Sequence, residues 1–170
     1  MAASKLQNVL KLMLCAALLL IAGRAHAANN CPWLTEATAG GFLGGAAVNT
    51  FTDTAAGKPA VCAFEEKESG GTRTLIVTVE VNPDAHTKLD AMMHDCGASS
   101  QLLQAIGNEA AVCAMDPRKK MLSERVVGRV RDQIFTITIA STLKEDTVLN
   151  RDTLMPKIYT ASEQVAGNLF

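Results

Sequence analysis

The chain has 170 residues, 48% of them hydrophobic and 19% charged, with 16 basic residues against 17 acidic ones. That length suits one domain with a real core, and the near balance of charge argues against a broad nucleic-acid surface. Aromatic residues are only 4% of the total, and just Trp33 and Tyr159 carry a polar handle, so sugar-stacking and single-strand-binding surfaces are disfavoured too.

Residues 1–27 read as an export signal. Lys5 and Lys11 give a positive start, Leu12 to Gly23 is an apolar run, and Arg24 precedes the small-x-small triplet Ala25-His26-Ala27 of a peptidase site. The run is too short to span a bilayer comfortably. Cys15 belongs to the signal core, because Leu14 stands where lipid attachment requires a small residue. The expected mature chain is one domain over residues 28–170, with 13 basic residues against 17 acidic and a net charge of −4. Periplasm or secretion is the expected location, with Gram-negative periplasm favoured and no transmembrane segment left after cleavage.

Four cysteines remain: Cys31, Cys62, Cys96 and Cys113. An even number in an exported chain reads as disulfides, and four allow three pairings. Order along the chain favours Cys31–Cys62 and Cys96–Cys113, whose loop closures contribute roughly 4 and 3 kcal/mol in the chain-entropy model. No pair has C-x-x-C spacing, so neither a redox motif nor a zinc knuckle is indicated.

Thr35 caps a first helix that ends at Phe42-Leu43, stopped by Gly44-Gly45. The glycines at 40, 41, 44 and 45 lack the Lys-Ser/Thr of a phosphate loop. Residues 46–58 suggest a short strand or loop, Ala60 to Glu66 a strand, and residues 68–71 a turn. In the strand Thr72 to Val81, Leu75, Val77, Val79 and Val81 share one face. Asn82-Pro83 opens a helix from Asp84 to about Asp95 that stacks Ala85, Leu89, Met92 and Cys96 in one stripe. A short helical piece is expected over Ser100–Ile106, then a strand over Glu109–Met115 and a turn at Asp116-Pro117-Arg118. Two strands, Met121–Val130 and Gln133–Ser141, join tightly around Arg131-Asp132. A final helix starts near Asp152, with Pro156 in its first turn and Leu154, Ile158, Ala161, Val165 and Leu169 facing a sheet. Segregated strand and helix runs imply an α+β fold with a mainly antiparallel β-sheet flanked by helices.

Cys31-Pro32-Trp33-Leu34-Thr35-Glu36 opening a helix that ends in Phe42-Leu43-Gly44, then Cys62 in a strand, resembles the start of secreted actinobacterial lipoproteins of the LpqN type. Ile106-Gly107-Asn108-Glu109-Ala110 before an alternating apolar hairpin is similar to the middle and end of that group. The resemblance spans most of the mature chain and implies a PsbP/Mog1-like α/β/α sandwich serving as a small binding or accessory module, without a shared catalytic site. It also implies that Cys31 and Cys62 correspond to the family's paired cysteines. This chain departs from the pattern in lacking a lipid-anchor cysteine at its mature start and in carrying Cys96 and Cys113.

His86, Asp90 and His94 recur at four-residue steps on one helix face, a spacing that offers zinc or copper two imidazoles and a carboxylate; the plain alternative is a solvated face. His94 near Cys96 invites a Cys–His nucleophile, and hence a small hydrolase, only if Cys96 is a free thiol. Arg125, Arg129 and Arg131 alternate along a strand, with Arg118, Lys119 and Lys120 in the adjoining turn, as a patch for anionic ligands or as a charged strand edge. No nucleotide, EF-hand, zincin or serine-hydrolase motif is present, and no cofactor is expected. The sequence therefore favours an exported, non-catalytic module binding an envelope protein or an apolar small ligand between sheet and helices, with Met92, Met93 and the Gly-rich first helix as its rim. Metal handling is the alternative. Mass analysis of the exported, non-reduced protein should show loss of residues 1–27 and four cysteines resistant to alkylation; free thiols or an uncut leader would overturn the reading.

Overall fold

Two antiparallel meanders meet along a central seam in the computed structural model, which describes residues 30–54, 58–96, 100–114 and 121–170. The first comprises β1 (Val48–Thr52), β2 (Ala60–Glu68) and β3 (Gly71–Val81). The second comprises β4 (Ser100–Leu103), β5 (Glu109–Ala114), β6 (Leu122–Val130) and β7 (Gln133–Ser141). β3 pairs with β7, so one seven-stranded sheet runs β1-β2-β3-β7-β6-β5-β4, antiparallel throughout. The fold is α+β, as the sequence implies.

Because side chains alternate across a strand, the register assigns every residue to a face. Leu75, Val77 and Val79 of β3 stand opposite Ile139, Ile137 and Phe135 of β7, and all six are buried. This first face, with Cys62 and Phe64 of β2 and Val126 and Val130 of β6, packs beneath α1 (Glu36–Leu43) and α3 (Arg151–Asn168). The other face carries Ala111, Cys113 and Val127, which pack against Leu89 of α2 (Ala85–Asp95) and against Cys96, the residue that follows its end. The helices therefore flank both faces. Gly128 lies between Ala110 and Phe135 across the strands, and a side chain there would run into the Phe135 ring.

Local signals explain most helix ends. Thr35 accepts a hydrogen bond from the Thr38 N–H to start α1, and Gly44 ends it in the left-handed conformation (φ 85°), returning its N–H to the Gly40 carbonyl at 2.7 Å. Asn150 and Thr153 form a reciprocal capping box at the start of α3. The expected α3 stripe is buried at all five positions, Leu154, Ile158, Ala161, Val165 and Leu169. Pro156, however, is the sixth residue of the helix and so lies beyond its first turn. Its missing N–H deprives the Asp152 carbonyl of its usual i+4 helical partner.

One other expectation needs correction. Ser100–Ile106 is not helical: Ser100–Leu103 is edge strand β4, paired with Ala110–Cys113. Ladder hydrogen bonds to β5 outweigh the weak local preference of four residues, and positive φ at Ala105 (63°) and Gly107 (59°) breaks any helix through the following loop. Val81 keeps the face of Leu75, Val77 and Val79 as expected, but at the strand's end it is 63% exposed. The signal over residues 1–27, with Cys15, lies outside the described residues, as do the turn at 116–118 and Lys119 and Lys120.

One buried cation joins three elements on the first face. Arg73 of β3 donates through Nε to both carboxylate oxygens of Asp146, at 3.0 and 2.8 Å, and through Nη1 to Glu66 at 3.0 Å and to the Leu43 carbonyl at 3.3 Å. Its Nη2 reaches Glu68 at 2.6 Å. Asp146 also accepts from the Ser141 hydroxyl and from the N–H groups of Val148 and Leu149. Burial alone would raise the Asp146 carboxyl, but the hydrogen bonds from Arg73, the two amides and the serine hold it well below the ordinary range. Lys157 of α3 donates to the Phe42 carbonyl at 2.6 Å, so two cations satisfy the last carbonyls of α1. Burial pushes the Lys157 pKa down, and the nearby Arg73 charge adds to the shift.

Removing one member strands a buried charge. Asp146→Ala should destabilise the protein by about 3–5 kcal/mol in urea unfolding at pH 7. A change below about 1 kcal/mol, the size ordinary for an exposed pair, would show that the cluster does not hold the fold.

Candidate functional site: a charged groove between α2 and β4

Helix α2 crosses only part of the second face, and a groove opens where it passes the β4 edge. The groove has a volume of about 350 Å³ and is lined by His86, Asp90 and Met93 of α2, by Leu102 and Leu103 of β4, and by the loop into β5. Its position follows from the disulfides. Cys31–Cys62 fastens the lead into α1 to the first face, and Cys96–Cys113 fastens the end of α2 to β5 on the second. Both pairings agree with the order expected along the chain. Leu102 faces the α2 side and is 69% exposed, while Met92 and Met93 are partly buried against the small core beneath the helix.

Polar chemistry occupies one end. His86 Nδ1 lies 2.9 Å from Glu109 Oε2, and its Nε2 lies 3.6 Å from Asp90 Oδ2. Arg129 grips Glu109 through both arms of its guanidinium, Nη2 to Oε1 at 2.8 Å and Nε to Oε2 at 3.2 Å. Glu109 and Arg129 are direct cross-strand partners, so the sheet register itself sets this pair. Hydrogen bonds from Arg129 and then His86 draw the Glu109 carboxyl down to about 2. Farther along the helix, Lys88 holds Glu80 at 2.6 Å and lowers its pKa.

The expected site residues fare unequally. His86 and Asp90 meet, but the third group beside them is Glu109, and the exposed His94 is outside the cluster. Helical spacing carries His94 two turns beyond His86, while β5 brings Glu109 across from 23 residues away. The strand beginning at Glu109 was visible in the sequence, but its proximity to α2 was not. Among the described residues, Arg125, Arg129 and Arg131 do not assemble into one cationic patch. Arg129 is neutralised by Glu109, and Arg131 sits in the β6–β7 turn with φ 57°, its guanidinium 5.8 Å from the Phe170 ring centre. Arg125 stands alone two rows away, its Nε buried without a hydrogen-bond partner among the described residues. Cys96 is bonded to Cys113 and offers no thiolate beside His94.

The Gly-rich α1 does not share the groove, since it packs on the opposite face of the sheet. A second, shallower cleft of about 470 Å³ lies there, between Trp33, Thr35 and Thr38 at the start of α1 and Gln164 and Asn168 near the end of α3.

No protein-family model, no curated protein and no solved structure matches this chain.

A depressed carboxyl pKa contributes stability above its ordinary value, 4.5 here, and that contribution is lost as pH falls towards about 2. Stability measured across that window should fall less steeply in Glu109→Gln than in the wild type. Parallel pH profiles would show that the Glu109–Arg129–His86 group is not formed in solution.

Proposed function

We propose that this chain is an exported, non-catalytic binding or accessory module of the bacterial cell envelope, and that the groove between α2 and β4 is its docking site for an envelope protein or apolar small ligand. One observation carries the reading: a largely exposed Leu102 and a half-buried Met93 flank a concave strip beside an open sheet edge. Apolar side chains on such a strip gain by being covered, methionine adapts to varied shapes, and the edge of β4 offers backbone groups to an added strand.

Two disulfides fit a periplasmic or extracellular location. No helix among the described residues is long and apolar enough to cross a membrane. The leader at residues 1–27 supplies the export step in this reading, and the LpqN-type resemblance supports a small accessory role. Phe64, Leu75, Phe135, Ile137 and Ile158 fill the space between the sheet and the α1/α3 layer at full burial. An outer groove is therefore preferred to an internal pocket.

Leu102→Asp removes the exposed apolar contact at a position where substitutions ordinarily change stability by less than about 0.5 kcal/mol. The wild-type protein immobilised in its own envelope extract should retain a specific partner or small molecule, identified by mass. Both Leu102→Asp and Met93→Glu should lose that capture, with the melting temperature unchanged in Leu102→Asp, whose side chain is exposed. Equal capture by wild type and both variants would remove the groove from the function.

A further inference from the structure

We propose that His86, Asp90 and Glu109 form a site for a divalent transition-metal cation, with Zn²⁺ as the reference ion, at the charged end of the α2–β4 groove. Each residue offers one ligand atom, and these atoms all lie within 4.8 Å of one another. An ion bonded at about 2.0–2.2 Å to nitrogen and oxygen brings such atoms to within about 4 Å of each other, so side-chain rotation alone closes the gap. The side chains of His86 and Asp90 are 63% and 55% exposed, and that of Glu109 is 34% exposed, which leaves rotation free and keeps solvent positions open on the ion.

Two features of the frame favour coordination over a mobile surface cluster. Glu109 is held by Arg129 at both oxygens, Nη2 to Oε1 at 2.8 Å and the longer Nε to Oε2 at 3.2 Å, and Oε2 is also turned towards His86. Outer partners of this sort orient a ligating carboxylate. The two elements that supply ligands are also covalently joined, since Cys96 follows α2 directly and Cys113 lies on β5 with Glu109. Without an ion the imidazole is shared, Nδ1 towards Glu109 and Nε2 towards Asp90. Loading turns the ring so that one nitrogen and both carboxylates converge, with the Arg129 charge moderating affinity. One nitrogen and two oxygens suit zinc, cobalt, nickel or copper better than the all-oxygen preference of calcium or magnesium. His94 takes no part. The site shares a rim with the docking groove but does not depend on a groove ligand.

Titration calorimetry of the purified, oxidised, exported protein with ZnCl₂ at pH 7.5 and moderate salt is the test. The expected result is one saturable site of micromolar affinity, weakened at least about tenfold in His86→Ala and in Asp90→Asn and unchanged in His94→Ala. The Asp90 side chain is 55% exposed and pairs with His86 at 3.6 Å, so its variant should keep the fold, which thermal unfolding checks. Perturbation of the His86 ring signals by zinc, with those of His94 unmoved, provides a second readout. Absence of saturable binding overturns the proposal, as does an Asp90→Asn variant that binds like the wild type or a His94→Ala loss equal to that of His86→Ala.

Discussion

The β3–β7 seam is the constraint on which everything else rests. It joins two meanders that are otherwise separate in the chain, through a nine-residue register from Arg73↔Ser141 to Val81↔Gln133. Slipping that register by one residue would turn Leu75, Val77 and Val79 away from α1 and α3 and bring the polar set Thr74, Thr78 and Glu80 inward. At one end of the seam a polar lock opposes such a slip. Arg73 and Ser141 stand directly across from each other, and both bind the same Asp146 carboxylate. A buried ion pair of this kind is better understood as specifying a geometry than as a net source of stability.

From the seam outward, each helix layer is fastened by a different chemistry. On the first face, Arg73 and Lys157 satisfy the carbonyls that end α1, and Cys31–Cys62 ties its beginning to β2. On the second face the apolar contact is small, essentially Leu89 against Ala111 and Val127, and Cys96–Cys113 compensates by tethering α2 to β5. A short helix on a wide sheet cannot cover it. The groove beside β4 and the charged cluster at its end are consequences of that mismatch. They are held in place because Glu109 and Arg129 are cross-strand neighbours.

Those relations explain why the candidate site was only half legible. His86 and Asp90 were visible as an i, i+4 pair because helical periodicity is local. Glu109 was not, because its place beside α2 depends on which face of the sheet the helix crosses and on a link formed through Cys113. The same reason undid the arginine patch. Alternation along β6 correctly placed Arg125 and Arg129 on one face, but it could not show that Glu109 would neutralise Arg129, nor that Arg131 would belong to the turn.

By itself the sequence determined the local grammar: the Thr35 cap and Gly44 stop of α1, the alternation that made β3, β6 and β7, the buried stripe of α3, and an antiparallel α+β class with cysteines paired in chain order. Each depends on interactions among residues a few positions apart, or on a small set of possible pairings. Tertiary structure alone decided that β3 and β7 would be neighbours, that Ser100–Leu103 would be a strand, and that a carboxylate from β5 would complete the cluster on α2. These outcomes turn on hydrogen-bond ladders and packing between segments far apart in the chain, where the gain comes from the partner surface and is not written into the segment's own propensity.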